Sequence, residues 1–511
     1  MTQTAPVRPW QRLDPRMLLV HPVNEVVRYI PVLIGTVIVG SRADNPLWSL
    51  IPLVLIVGFA ATRWFTTTYR VGPTHVELRT GLIQRKRLAV PRSRIRSVDI
   101  EADLLHRVLG LAVLAIGTGQ QAEKKEQFKL DALDARLVPD LRRELLADTG
   151  TGTGTGTGTE DLAGQEVTKI EPTGREIAHW QAGWVRYAPL SLTGFAIFAP
   201  IVGLAFQYGI GQAIFRSDAV HSLRDGTALV IALAIAALVV ALVLVVALAA
   251  CARYLATYFG LQVLDDGKTL QIRHGLFTTR QITMDLARFR GATVNEPLLL
   301  RLAGGAELEA IMTGEKPRVK ILPQAPRAAI DHTLAHLLAP DAIHDKPSGT
   351  TQLMPGLVPL VPHGPAALRR RYTRTLLPVL VIAVVMLAIR LAGVEFSAWW
   401  WLIPALGTVI GIPLAADRYR GLGHAVIPAG GAAPTWLVTR SGSLDRDRDC
   451  LEAPGIIGWT VRQTFFQRRA GVATVVAATA AGKKRYAVLD IPIDQAYALI
   501  EQVDPGRLGK R

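Results

Sequence analysis

The sequence predicts a polytopic α-helical membrane protein, six spans arranged as three hairpins, carrying three small antiparallel β-sandwich or barrel domains. A C-terminal helix closes each domain. Three observations predict this. Half of the 511 residues are hydrophobic while aromatics make up only 6%, a balance that favours membrane spans over a large soluble core. The hydrophobic segments come in pairs joined by short loops. After each pair the chain turns strand-rich and basic, with glycines recurring at one fixed interval.

The clearest apolar segment runs from Gly226 to Ala252, uncharged and longer than the ~20 residues a bilayer requires. Its partner extends from Tyr187 to Phe215. The third pair is Thr375 to Val394 and Phe396 to Ala416, with Arg390 placed where its stem can snorkel. In the first pair, Asn45 to Thr62 is long enough. Tyr29 to Ser41 is short unless the helix starts near Asn24 and Arg28 snorkels. The other reading of this first pair is a buried soluble hairpin. Each pair returns the chain to its starting side. Arginines flank that side, among them Arg63, Arg186, Arg253, Arg369, Arg371 and Arg418, against Arg42, Arg216, Arg224 and Arg390 opposite. The positive-inside rule then places both termini and the polar domains in the cytoplasm. The polar, basic segment MTQTAPVRPWQRLDPR is read as carrying no cleaved signal peptide.

The repeat is seen in the glycines. Gly81 and Gly110, Gly275 and Gly304, and Gly442 and Gly471 each stand 29 residues apart. Between them Leu88, Ile282 and Asp449 align, as do Ile100, Val294 and Val461. Before each second glycine stand LLHRVLG, LLLRLAG and FFQRRAG, with Arg107, Arg301 and Arg468 in equivalent places. Fixed periods of this kind mark a repeated structural unit. Each copy ends in a stretch of helical period: Leu133 to Asp148, Pro326 to Ala339 and Ile493 to Val503. The resulting division is a basic tail (1–25), hairpin one (26–64), domain one (65–148) and a flexible linker (149–178). Hairpin two (183–253), domain two (254–340), a Pro/Gly-rich linker (341–368), hairpin three (371–417), domain three (418–504) and a short tail (505–511) follow.

The Gly-Leu turn, the basic strand, Pro91 and Ile95, and the LLxRxxG run together resemble bacterial pleckstrin-homology-like (PH-like) modules of the membrane-anchored class. The second copy keeps HGLFTTRQITMD and LLLRLAG, with Asp285 where the first has Pro91. The third, RSGSLDRDRDCLEAPGIIGW, holds by spacing and register. The resemblance implies a non-enzymatic protein of the bacterial inner membrane whose domains bind lipid or protein, or act as scaffolds. It also implies a role in envelope maintenance or stress resistance. The alternative is a transporter or lipid-handling protein that uses its spans as a path.

The net charge of +16 and pI near 10.1 call for an anionic partner, and beside spans that partner is the phospholipid headgroup. The candidate binding residues are Arg85 and Arg87, which share the face opposite Leu88 and Val90 on a strand from Ile83 to Val90. Arg92, Arg94 and Arg96 are expected on the next strand. The surface can meet anionic lipid or a partner protein; with no aromatics interleaved for base stacking, nucleic acid is set aside. No cofactor and no metal are expected. DRDRD at Asp445 to Asp449 lacks the glycine and the glutamate of a calcium loop and reads as a solvated strand or turn. His332 and His336 have no third ligand. Cys251 and Cys450 lie in different settings and are not expected to pair.

Overall fold

The computed structural model describes residues 9–28, 64–81, 85–95, 97–117, 128–138, 174–191, 228–314, 319–338, 358–429 and 434–507. Isolated positions 54, 57, 58, 140, 141, 145 and 203 are described besides. The chain divides into two compact units, Met1–Trp180 with Ala256–Ala287, and Gln181–Leu255 with Arg288–Arg511.

The first unit opens with β1 (Gln11–Arg12) and α1 (Met17–Arg28). The expected tail over 1–25 is therefore corrected: β1 pairs with Thr68 and Tyr69, and Leu13, Met17 and Val20 are buried in the first core. Their spacing is masked in the sequence by Asp14, Pro15 and Arg16, which stand between Leu13 and Met17. Next come β2 (Thr68–Val71), β3 (His75–Thr80) and β4 (Lys86–Pro91), forming a sheet of order β1-β2-β3-β4. The chain continues through β5 (Ser97–Ala102), α2 (Leu104–Val108), β6 (Leu111–Gly117) and β7 (Phe128–Asp134). Leu133, expected to begin a helix, thus closes a strand. The described helical residues start at Val138, which is buried with Leu145. Then come β8 (Arg175–His179), lying across the end of the expected linker, and α3 (Ala228–Tyr258), most of which belongs to the second unit. After them are β9 (Gln262–Asp265), β10 (Thr269–His274) and β11 (Thr279–Asp285). β11 pairs with β5, so one seven-stranded sheet, β7-β6-β5-β11-β10-β9-β8, joins strands of two repeats.

The second unit continues with β12 (Phe289–Pro297), α4 (Leu298–Leu302), β13 (Gly305–Met312), β14 (Val319–Pro326) and α5 (Arg327–Leu338). Two long helices follow, α6 (Gly364–Leu391) and α7 (Leu402–Arg420). The last stretch holds β15 (Gly423–Ile427), β16 (Trp436–Gly442), β17 (Asp445–Glu452) and β18 (Ile456–Arg462). It ends with α8 (Phe465–Arg469), β19 (Val472–Thr479), β20 (Arg485–Pro492) and α9 (Ile493–Val503). The sheets here are β14-β13-β12-β17-β16-β15 and β18-β19-β20.

Register is shared among the repeats. Leu78 faces Leu88, Ile272 faces Ile282 and Thr439 faces Asp449, always the same steps from the hairpin glycine. All six recurring glycines have positive φ. At Gly275 and Gly442 the close approach is also steric: a Cβ would come within 1.9 and 2.0 Å of a backbone carbonyl oxygen. Only glycine fits such a turn.

DRDRD is a strand, exposed at Asp445 and half-buried at Asp447, but buried at its other three residues. β17 sits between β12 and β16, and Arg446, Arg448 and Asp449 are all under 9% exposed. Its charges are matched along the way: Thr293 Oγ1 donates to Asp449 at 2.7 Å, and Lys483 Nζ to Asp447 at 2.7 Å.

Among the described residues, three helical segments are long and apolar enough to cross a membrane: Ala236–Tyr258, Gly364–Leu391 and Ala398–Arg420. This suggests a membrane protein. α6 and α7 pack as an antiparallel hairpin, where Gly407 and Gly411 approach Val379 and Leu376 so closely that a Cβ would lie 3.2 Å away. Small residues let such helices touch. The expected start of a span at Tyr187 is corrected, because Ala182–Leu190 is a 3₁₀ helix with Trp184, Tyr187 and Ala188 buried. The rest of that segment, and nearly all of hairpin one, lie outside the described residues.

Candidate functional site

The arginines singled out on the first domain stand in different settings. Arg85 and Arg87 are exposed, and Arg87 lies opposite Arg79 across the β3–β4 pair. Alternation in β2 and β3 brings Arg70 to the same face, directly across from Glu77. Glu77 accepts hydrogen bonds from Arg70 and, at 2.8 Å, from Arg87. Burial pushes the Glu77 carboxyl up, but the bonds from Arg87 and Arg70 outweigh it and hold the group below its usual range. The Trp10 ring lies 3.7 Å from the Arg79 guanidinium and 4.9 and 5.9 Å from those of Arg70 and Arg87. Indole is the best of the side-chain rings for holding a cation over its face. Sequence reasoning missed Trp10, Arg70, Glu77 and Arg79, though period two within Thr68–Val71 and His75–Thr80 carries the signal.

The expected next strand over Arg92, Arg94 and Arg96 is also corrected. Pro91 caps a single 3₁₀ turn, Arg92–Arg94, and the following strand starts at Ser97. Arg92 is only 9% exposed, with its backbone N–H donating to Thr74 O at 2.9 Å. It does not belong to the surface. Arg96 lies outside the described residues, and only the backbone of Arg94 is described.

A second basic site lies in the second unit, at the start of α6. An open cleft of about 1090 Å³ is lined by Arg369, Arg370, Arg371 and Arg374 of α6, by Arg462 of β18 and by Arg469 of α8. α8 forms because Thr464 caps it reciprocally with Gln467, two orphan N–H groups being satisfied at once. Two of the arginines are neutralised. Arg370 Nε and Arg371 reach the buried Asp490 at 2.9 and 2.7 Å, and Gln467 Nε2 donates to the same carboxylate at 2.8 Å. Arg369, Arg374, Arg462 and Arg469 are exposed. The cleft is therefore cationic on one side and fixed by an ion-pair network on the other.

Two further contacts hold this hairpin to the β-structure. His363 Nδ1 donates to Leu489 O at 2.7 Å, which leaves its Nε2 to accept from His424 Nδ1 at 3.0 Å. Burial, and then the neighbouring His363, push His424 down to about 4. At the other foot, Asp417 of α7 accepts from Arg301 at 3.0 Å, Arg446 at 3.0 Å and Ser443 Oγ at 2.8 Å.

The repeated arginines have unlike fates. Arg107 donates to Thr279 Oγ1 and to Leu276 O at 3.4 Å. Arg301 meets Asp417 and, at 3.3 Å, Ser443 O. Arg468 is exposed.

Neither a search of curated proteins nor one of solved structures finds a match to this chain. The model of a family described as the bacterial PH domain does match, over residues 26–149 and 200–338, together just over half of the chain. Those two stretches hold the β3–β4 and β10–β11 hairpins with their shared register, and the short helices that carry Arg107 and Arg301. On that match the chain belongs to the bacterial PH-domain family.

Proposed function

We propose that this is a non-enzymatic protein of the bacterial inner membrane with six spans, presenting three PH-like modules in the cytoplasm. The module after α7 is the third copy: its hairpin register, its glycines and its C-terminal helix repeat those of the other two. Its site is the arginine cleft at the start of α6, and its ligand there is the phosphate-bearing headgroup of anionic lipid. One observation carries this reading. Exposed Arg369, Arg374 and Arg469 converge on an open cleft where an apolar helix begins, the depth at which headgroups lie. Arginine matches phosphate oxygens with a planar fork of donors, and each basic residue near an anionic leaflet contributes about 1 kcal/mol.

The test is lipid retention by the full-length protein. Purified in mild detergent, it should carry anionic phospholipid detectable by native mass spectrometry. The triple variant Arg369→Glu, Arg374→Glu, Arg469→Glu should lose that lipid while keeping neutral lipid. Equal retention of anionic lipid by the variant would remove the cleft from this role.

A further inference from the structure

The chain uses one kind of seam twice. β5 takes β11 beside it and β12 takes β17, in the same register: Ile100 lies opposite Gln281, and Val294 opposite Arg448. In each seam the next residue is bonded across the gap. Glu101 faces Arg280 and pairs with it at 2.9 Å; Asn295 faces Asp447 and donates to it at 2.8 Å. The arginine of the short helix that follows then closes over the incoming hairpin, Arg107 on Leu276 O and Arg301 on Ser443 O.

β18 is the third strand of this kind, and among the described residues it pairs with β19 alone. The residues equivalent to Glu101 and Arg107 are Arg462 and Arg468, both exposed. Beside them Phe465 and Phe466 are 72% and 69% exposed. We propose that β18 is a docking edge for an extended strand of a partner protein, added antiparallel, with a carboxylate directly opposite Arg462. The open edge supplies backbone hydrogen bonds to any strand, and the cross-strand charge selects which strand. A second copy of this chain is the wrong occupant. Its matching strand is β4, which pairs only with β3 among the described residues. The seam register would put Lys86 opposite Arg462, with Arg85 and Arg87 on either side. Like charges directly opposed disfavour pairing, and basic edges are a way that sheets refuse their own copies.

Two labelled peptides test this on the full-length protein in neutral detergent. One is the β4 sequence itself, GLIQRKRLAVP, and the other is the same peptide with Arg85→Glu and Lys86→Glu. In fluorescence anisotropy the charge-reversed peptide should bind about tenfold tighter than the native one. Arg462→Ala in the protein should erase that preference, and Arg462→Glu should invert it. Three peptide results would overturn the proposal, apart from the vesicle arm below: neither peptide binds, both bind alike, or the native peptide binds better, which would make a second copy the occupant. Arg462 also borders the arginine cleft, so vesicles of phosphatidylglycerol supply the last arm. If these vesicles displace the bound peptide, the edge serves a lipid surface and the proposal fails. The lipid-retention variants leave Arg462 intact, so the two readings fail separately.

Discussion

Two arginine-rich regions of this chain look alike in sequence and differ in what surrounds them. On the first repeat, Arg70 and Arg87 share one carboxylate, Glu77, and together with Arg79 they share one indole, Trp10. At the start of α6, Asp490 takes up only Arg370 and Arg371, and four other arginines remain exposed in the same cleft. The first cluster is largely satisfied within its own sheet face. The second keeps charge to spare. The lesson is that counting basic residues along a strand does not locate an anion site; the neighbours that neutralise them decide it.

Four changes would break or sharpen that contrast. The largest effect is expected from Asp490→Ala. It strands two arginines, each 12% exposed at the side chain, and breaking such a buried pair costs about 3–5 kcal/mol. Thermal unfolding in detergent should show a fall of many degrees, and an unchanged midpoint would refute the clamp.

Acid should load the second region with further charge. His424 has its folded pKa pushed from 6.5 down to about 4, so its neutral form stabilises the fold above 6.5. That contribution is lost as pH falls from about 6.5 towards 4, up to about 3 kcal/mol at completion. His424→Gln should flatten the pH dependence of melting in this window.

A smaller loss is expected in the first repeat from Gly110→Val, at φ +69°. A left-handed backbone costs a side-chain-bearing residue about 1–2 kcal/mol, and the same melting assay reads it. The smallest effect belongs to Arg87→Ala, which removes a half-exposed partner of Glu77. The loss should stay below about 1 kcal/mol. Chemical denaturation that found more would show that the first cluster is structural throughout.

Much of the fold is legible in the sequence where spacing is local. The 29-residue glycine interval foretells hairpins in one register, and the amphipathic period of Ile493–Val503 is matched residue for residue by α9. Elsewhere the signal is non-local or masked. Leu13, Met17 and Val20 are core residues set among arginines and prolines. The arginine strand expected after Pro91 is a 3₁₀ turn, one that also follows Asp285 and Glu452 in the other repeats. Arg446, Arg448 and Asp449 of DRDRD are buried because strands of two repeats flank them, with Thr293 meeting Asp449 and Lys483 meeting Asp447. No periodicity within DRDRD announces those partners. The arginine cleft gathers residues more than a hundred positions apart, and the pairing of Asp490 with Arg370 has no local trace.

Both feet of the α6–α7 hairpin are fastened by a carboxylate, Asp490 holding α6 and Asp417 holding the end of α7 to Arg301, Ser443 and Arg446. Ser443 and Arg446 lie on either side of the turn and start of β17, the strand that joins two repeats in one sheet. A hairpin clamped at both feet cannot tilt or rotate in the bilayer as a free rod. A hydrophobic helix longer than the bilayer is thick accommodates by tilting, so a thinner membrane would act as torque on the β12–β17 junction. The span hairpin is then a lever as well as an anchor.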